Sequence, residues 1–266
     1  MPTVSGVTSD SQMSLHSTPA TCLDTRHLRL CRVRMWHVSK RRLVLGIMGS
    51  VLFRWLCFAA MTAMAVWNEA RPAPGRLPDL VLPHVPYLPW VHQANLALWL
   101  LAWISGALVL LALAPYRFIR YMISGGILSL LRGLCLMFTG LGPIRSDDIH
   151  AGMGAAEQWQ TIYHILNPIS VFFHNAYDER MLKDPFFSGH AASTFLLLLY
   201  VWPIKPLRYW TLFMHVLVIL SIFFAHLHYT IDVVAAYAFA FVVFALREGK
   251  PAAGLQREDM GPGWRR

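Results

Sequence analysis

Six apolar stretches constrain this chain more than any other feature. They cover approximately residues 43–67, 94–114, 119–141, 189–203, 209–226 and 229–246, close to the roughly 20 residues that a helix needs to cross a hydrocarbon core. The fourth is the shortest. Lipid offers no water to backbone amides, so stretches of this kind fold as helices. The chain is 56% hydrophobic and 14% charged, far from the balance of a soluble domain. The expected fold class is therefore all-α: a polytopic integral membrane protein, six transmembrane helices in one bundle.

Charge then sets organisation and orientation. A net charge of +9 could signal nucleic acid, but the positive residues flank apolar runs, as topology signals do. Nucleic acid is discounted. Arg32, Arg34, Lys40, Arg41 and Arg42 precede the first span, Arg117 and Arg120 lie between spans two and three, Lys205 and Arg208 between four and five, and Arg247 and Lys250 after the sixth. With six spans these groups share one side, which the positive-inside rule makes cytoplasmic, so both termini are expected there. The long link 142–187 carries Asp147, Asp148, Glu157, Asp178, Glu179 and Asp184 and is expected to face outward. The domain reading is a disordered basic cytoplasmic arm over 1–40, a membrane-embedded catalytic domain over 41–248 and a cytoplasmic tail over 249–266. About forty polar and basic residues before the first span argue against a cleavable signal peptide. Cys22, Cys31, Cys57 and Cys135 show no placement for a disulfide.

Chemistry concentrates in two words, Ser188-Gly189-His190 and His228-Tyr229-Thr230-Ile231-Asp232. In a six-span topology both open helices that start on the outer face, so two helix amino termini converge there. The positive end of a helix dipole and unpaired amides favour a phosphate, and Ser188 and Gly189 let the backbone approach it closely. Asp232 follows His228 by four residues, one helical turn, and is expected to accept a hydrogen bond from its imidazole, leaving the other ring nitrogen for phosphorus. Arg132, inside the third span, either meets a phosphate or pairs with another helix. His215 and His226, taken singly, read as ordinary interfacial residues, Arg54 as structural, and Trp90, Trp99 and Tyr87 as an interface belt. The carboxylates of the outer link, with Trp159, Tyr163, Phe172 and Tyr177, are either a solvated surface or a seat for a cationic head group.

Phe187-Ser188-Gly189-His190 and the run from Ala225-His226-Leu227-His228 through Asp232-Val233-Val234-Ala235-Ala236-Tyr237 resemble two signature motifs of the sphingomyelin synthase family, a branch of the lipid phosphate phosphatase superfamily. Leu77-Pro78-Asp79 resembles the family's first motif in part, and Arg132 with Thr139 and Leu141 its second. Asp184 falls where the family has an aspartate. The likeness spans roughly residues 77–237. Ser221 is followed by Ile222, where the wider superfamily has Ser-Arg; Leu227 stands where the branch usually has an acidic residue, and Pro143 is displaced.

The resemblance implies a phospholipid head-group transferase acting through a phosphohistidine. His190, His228 and Asp232 would be catalytic, Arg132, Ser188 and Gly189 phosphate-binding, and Asp184, Asp147, Asp148 and Tyr229 head-group candidates. The site would lie at the outer ends of the fourth and sixth spans. A glycerophospholipid would donate phosphocholine or phosphoethanolamine to ceramide or a diacylglycerol-type acceptor, with no metal or other cofactor; self-association is compatible with this. The alternative is a lipid phosphate phosphatase or phospholipase C-like hydrolase using water. A bacterial inner membrane with a periplasmic site is favoured over a eukaryotic endomembrane with a luminal one, on the short loops. A reporter fused after Arg266 should stay cytoplasmic and one near Gln158 should be exported; the reverse labelling would overturn the orientation.

Overall fold

Apolar sequence with helix-compatible spacing becomes helix throughout. The computed structural model describes residues 25–72, 75–139, 141–144, 150–167, 170, 181, 183 and 186–249, with side chains from residue 40 onward. Among the described residues, seven α-helices run in the order α1 (Thr25–Glu69), α2 (Pro89–Leu113), α3 (Pro115–Phe138), α4 (Ala155–Leu166), α5 (Gly189–Val201), α6 (Lys205–Phe224) and α7 (Thr230–Glu248), with a short 3-10 turn at Leu82–His84 and no strand. The chain divides into two compact units, 1–42 and 43–266; the first carries the basic start of α1, the second the rest of α1 and every other element. Proline stands in the first turn of α2, α3 and α6, where its missing N–H costs nothing and its fixed φ suits a helix start.

Among the described residues, five helices are long and apolar enough to cross a membrane: Lys40–Glu69, Pro89–Leu113, Pro115–Phe138, Lys205–Phe224 and Thr230–Glu248. The sixth expected span is the 13-residue α5, about 20 Å long and short of a hydrocarbon core of about 30 Å. Its place compensates for its length. It packs against α2, α3, α6 and α7, and Ala191, Leu196, Leu197 and Val201 are wholly buried. A helix apolar on every side is the one that belongs in the centre. The expected outer link contains α4 on the surface, with Trp159 and Tyr163 exposed; Phe172 and Tyr177 lie outside the described residues.

Small residues let α1 reach α3. A Cβ at Gly126 would come 2.8 Å from Phe53, and one at Gly133 would come 3.1 Å from the Met61 backbone, so bare glycine permits this close packing. Polar groups fasten the end of α5 far from His190. Tyr200 donates to Glu248 at 2.7 Å and meets the Ser124 hydroxyl at 2.8 Å, while Arg120 pairs with Glu248 and Arg247 donates to Ser124. α3, α5 and α7 are thereby locked at one end, leaving their other ends to carry the site.

Candidate active site

The turn between α6 and α7 sets the geometry. Ala225 ends α6, His226 adopts a left-handed φ of 50°, and the Leu227 amide bonds back to the Ile222 carbonyl at 3.1 Å. This is a helix-ending turn that usually takes glycine. His226 bears the cost of its left-handed φ while its ring meets the Val85 carbonyl at 2.9 Å. The chain then reverses at once, and His228 stands two residues before α7.

His190, in the first turn of α5, faces it: the two ring centroids are 6.3 Å apart and edge to face. His228 is buried and Asp232 fully so, whereas His190 is half-buried. The three residues picked out by the two sequence words thus form one cluster at neighbouring helix amino termini. One detail differs from the sequence expectation. Asp232 Oδ2 lies 3.9 Å from His228 Nδ1, within ion-pair reach but beyond a hydrogen bond, because His228 precedes the helix and Oδ2 accepts the Tyr229 amide at 2.8 Å.

Carboxylates also take the amides that a bare helix terminus would offer a phosphate. Asp79, from the link between α1 and α2, accepts the Thr230 amide at 2.7 Å and the Thr230 hydroxyl at 3.0 Å, along with the amides of Val81 and Leu82. Burial pushes its pKa up, but the hydrogen bonds from Thr230, Leu82 and Val81 outweigh that, and the carboxyl ends below its usual value of 3.8. At α5, the Ser188 hydroxyl accepts the Ala191 amide at 3.3 Å, and the Ser188 amide donates to the Asp232 carbonyl at 3.1 Å, tying α5 to α7.

Arg132 is buried beneath this junction. Its Nε donates to the Phe187 carbonyl at 2.6 Å, and a Cβ on Gly189 would come 3.3 Å from its guanidinium carbon. Glycine therefore lets the cation lie against the start of α5. Tyr229 is a staple: its buried hydroxyl accepts the Leu77 amide and donates to the Gly142 carbonyl, each at 3.1 Å. Asp147, Asp148 and Asp184 lie outside the described residues. A cavity of about 510 Å³ opens between the ends of α1 and α3, with Arg71 and Lys183 among its walls beside Met137, Phe138 and Leu141.

Several groups around His190 carry no motif. Asn95 of α2, 1% exposed, sets its amide nitrogen 3.4 Å from His190 Nε2. Its amide oxygen accepts the Ser221 hydroxyl at 2.7 Å. A polar amide at the head of the apolar run of α2, just after His92 and Gln93, was the available signal. Trp99, expected in an interface belt, packs edge-on to His190 at 5.0 Å and donates to Ser193. His215, expected as an ordinary interfacial residue, is buried and bridges Thr194 at 2.8 Å and Tyr237 at 2.9 Å, joining α5, α6 and α7. Arg54 lies over the rings of Trp103 and Tyr121 at 5.6 and 5.5 Å, a cation–π arrangement consistent with a structural part.

Residues 183–248, which hold both histidines and Asp232, match the family model described as PAP2 superfamily C-terminal. This match supports membership of the lipid phosphate phosphatase superfamily. It points to phosphatase- or phosphotransferase-type chemistry on lipids. No curated protein matches the chain.

Asp79→Ala tests the capping. The folded carboxyl titrates below its unfolded value, so its contribution is present above the unfolded pKa and lost as pH falls through the folded one. The variant should lose about 1–2 kcal/mol at pH 7, as a lost helix cap does, and its deficit in thermal midpoint should shrink towards pH 3. A deficit independent of pH would contradict the assignment.

Proposed function

We propose that this protein is a phospholipid head-group transferase of the sphingomyelin synthase type, working at the non-cytosolic membrane face. The observation that carries the reading is the 6.3 Å separation of the His190 and His228 rings at adjoining helix starts. A nucleophile and a proton donor that share one phosphoryl group each approach their reacting atom to about 3–3.5 Å, and two rings so spaced suit that span.

His228 Nδ1 is turned towards Asp232, so Nε2 is the attacking nitrogen. It forms a bond to the phosphorus of a glycerophospholipid as the bond to the diacylglycerol oxygen breaks, and His190 supplies the proton to that oxygen. Diacylglycerol leaves, and the phosphorylated head group stays on His228. His190, now a base, takes the proton from the primary hydroxyl of ceramide or a similar lipid alcohol. That oxygen attacks phosphorus, the P–N bond breaks, and the product carries the head group. Asp232 favours the positive charge that His228 acquires. Arg132 sets a cation beside the phosphoryl oxygens, a role helix amides engaged by carboxylates serve less well. Asp184, Asp147 and Asp148 remain candidates for a cationic choline or ethanolamine head group.

Purified protein in detergent, given head-group-labelled phosphatidylcholine or phosphatidylethanolamine with and without ceramide, tests the reading. Labelled phosphosphingolipid that appears only with ceramide is the expected result. Release of a water-soluble phosphorylated head group alone would replace transfer by hydrolysis. His228→Ala and Asp232→Asn should each abolish turnover, and near-wild-type rates in either would remove the catalytic assignment.

A further inference from the structure

Asn95 asks for an explanation because an amide is a poor choice at its position. It stands in the apolar run of α2 at 1% exposure, where leucine would fill the space without a polar group to satisfy. It is nevertheless fully engaged, with Ser221 on one side at 2.7 Å and His190 Nε2 on the other at 3.4 Å. That contact is the one hydrogen bond of the His190 ring among the described residues. Nδ1 is consequently the nitrogen left for a substrate.

Ser221 has two acceptors. Its hydroxyl reaches Asn95 Oδ1 at 2.7 Å and the Val218 carbonyl at 2.8 Å. With the proton on Asn95, the amide NH₂ faces His190, Nε2 must offer a lone pair, and the ring proton sits on Nδ1. In that form the neutral ring is a far weaker acid towards the departing oxygen than an imidazolium, and Nδ1 is blocked as a base. With the proton on Val218, Ser221 Oγ accepts from Asn95 Nδ2 and the amide turns its oxygen to Nε2–H. The two amide orientations have the same shape, so the exchange needs no repacking.

Taking the transferase reading as its basis, we propose that Asn95 sets the tautomer of His190: in the working state its amide oxygen holds Nε2–H, and Nδ1 exchanges the proton with the lipid oxygens. The proton count closes over both steps. The imidazolium gives Nδ1–H to the departing diacylglycerol oxygen and keeps Nε2–H on Asn95. Nδ1 then takes the proton of the acceptor hydroxyl as the P–N bond to His228 breaks, restoring the imidazolium. Other groups also face this ring. His228, backed by Asp232, approaches from the α7 side, and Arg132 of α3 lies against Gly189. Trp99 packs on it from α2, and His215 of α6 bonds Thr194, whose hydroxyl donates to the His190 carbonyl.

Asn95→Asp and Asn95→Leu rank oppositely under a tautomer role and a packing role. Aspartate accepts only, so it keeps Nε2–H in place; leucine suits an apolar wall but holds nothing. We expect Asn95→Asp to stay active with the basic limb of its kcat profile moved up by about one pH unit, the effect of a neighbouring carboxylate on an imidazolium. Asn95→Leu should lose kcat about 10-fold, the scale of one hydrogen bond, at unchanged KM. Full activity in the leucine variant, or profiles identical to wild type in both, would overturn the proposal. Thermal midpoints report folding. If either variant fails to fold, Ser221→Ala decides: a kcat about 2- to 10-fold lower supports the role, and wild-type kcat overturns it. His228→Ala runs alongside, since its turnover tests the transferase reading separately.

Discussion

Polar groups placed inside a hydrocarbon-soluble bundle must find their partners within the chain, and the whole site follows from that constraint. Two helices begin side by side, and their first amides would be costly orphans. Asp232 takes the Tyr229 amide, Asp79 takes Thr230, and the Ser188 hydroxyl takes Ala191. The Ser188 amide meets the Asp232 carbonyl, so satisfying one helix start fixes its distance from the other. The spacing of His190 and His228 is thus a by-product of backbone accounting.

The same accounting divides the cation's work from that of the helix dipole. Carboxylates at the start of α7 leave it less suited to an anion than an uncapped helix. Arg132 is drawn in from α3 and anchored on the Phe187 carbonyl, and Gly189 keeps the space for it. The polar lock of Tyr200, Ser124 and Glu248 at the far end of α5 keeps a short central helix from sliding. The central helix can therefore hold His190 steady while remaining too short to span on its own.

Much of this was legible in the sequence, because apolar periodicity and basic links report the solvent directly. The helix positions followed from the apolar runs, and the grouping of His190, His228 and Asp232 from the two motif words. The α6–α7 turn did not, since a left-handed histidine at 226 stands where glycine is the usual signal. Asp79 was visible only as part of a partial motif, its capping of α7 depending on a link some 150 residues distant in sequence. The contacts of Asn95 and Trp99 with His190 were not foreseen for a related reason. A single polar residue or tryptophan in an apolar run looks alike whether it faces lipid, headgroups or a catalytic ring, and only packing decides.

Capture of the covalent intermediate bears most directly on the central claim. Protein mixed with head-group-labelled phospholipid in the absence of acceptor, then quenched in alkali, should carry an acid-labile label that maps to His228, and ceramide added before the quench should discharge it. A protein that turns over lipid yet never carries label, or a His228→Ala variant that still does, would contradict the account.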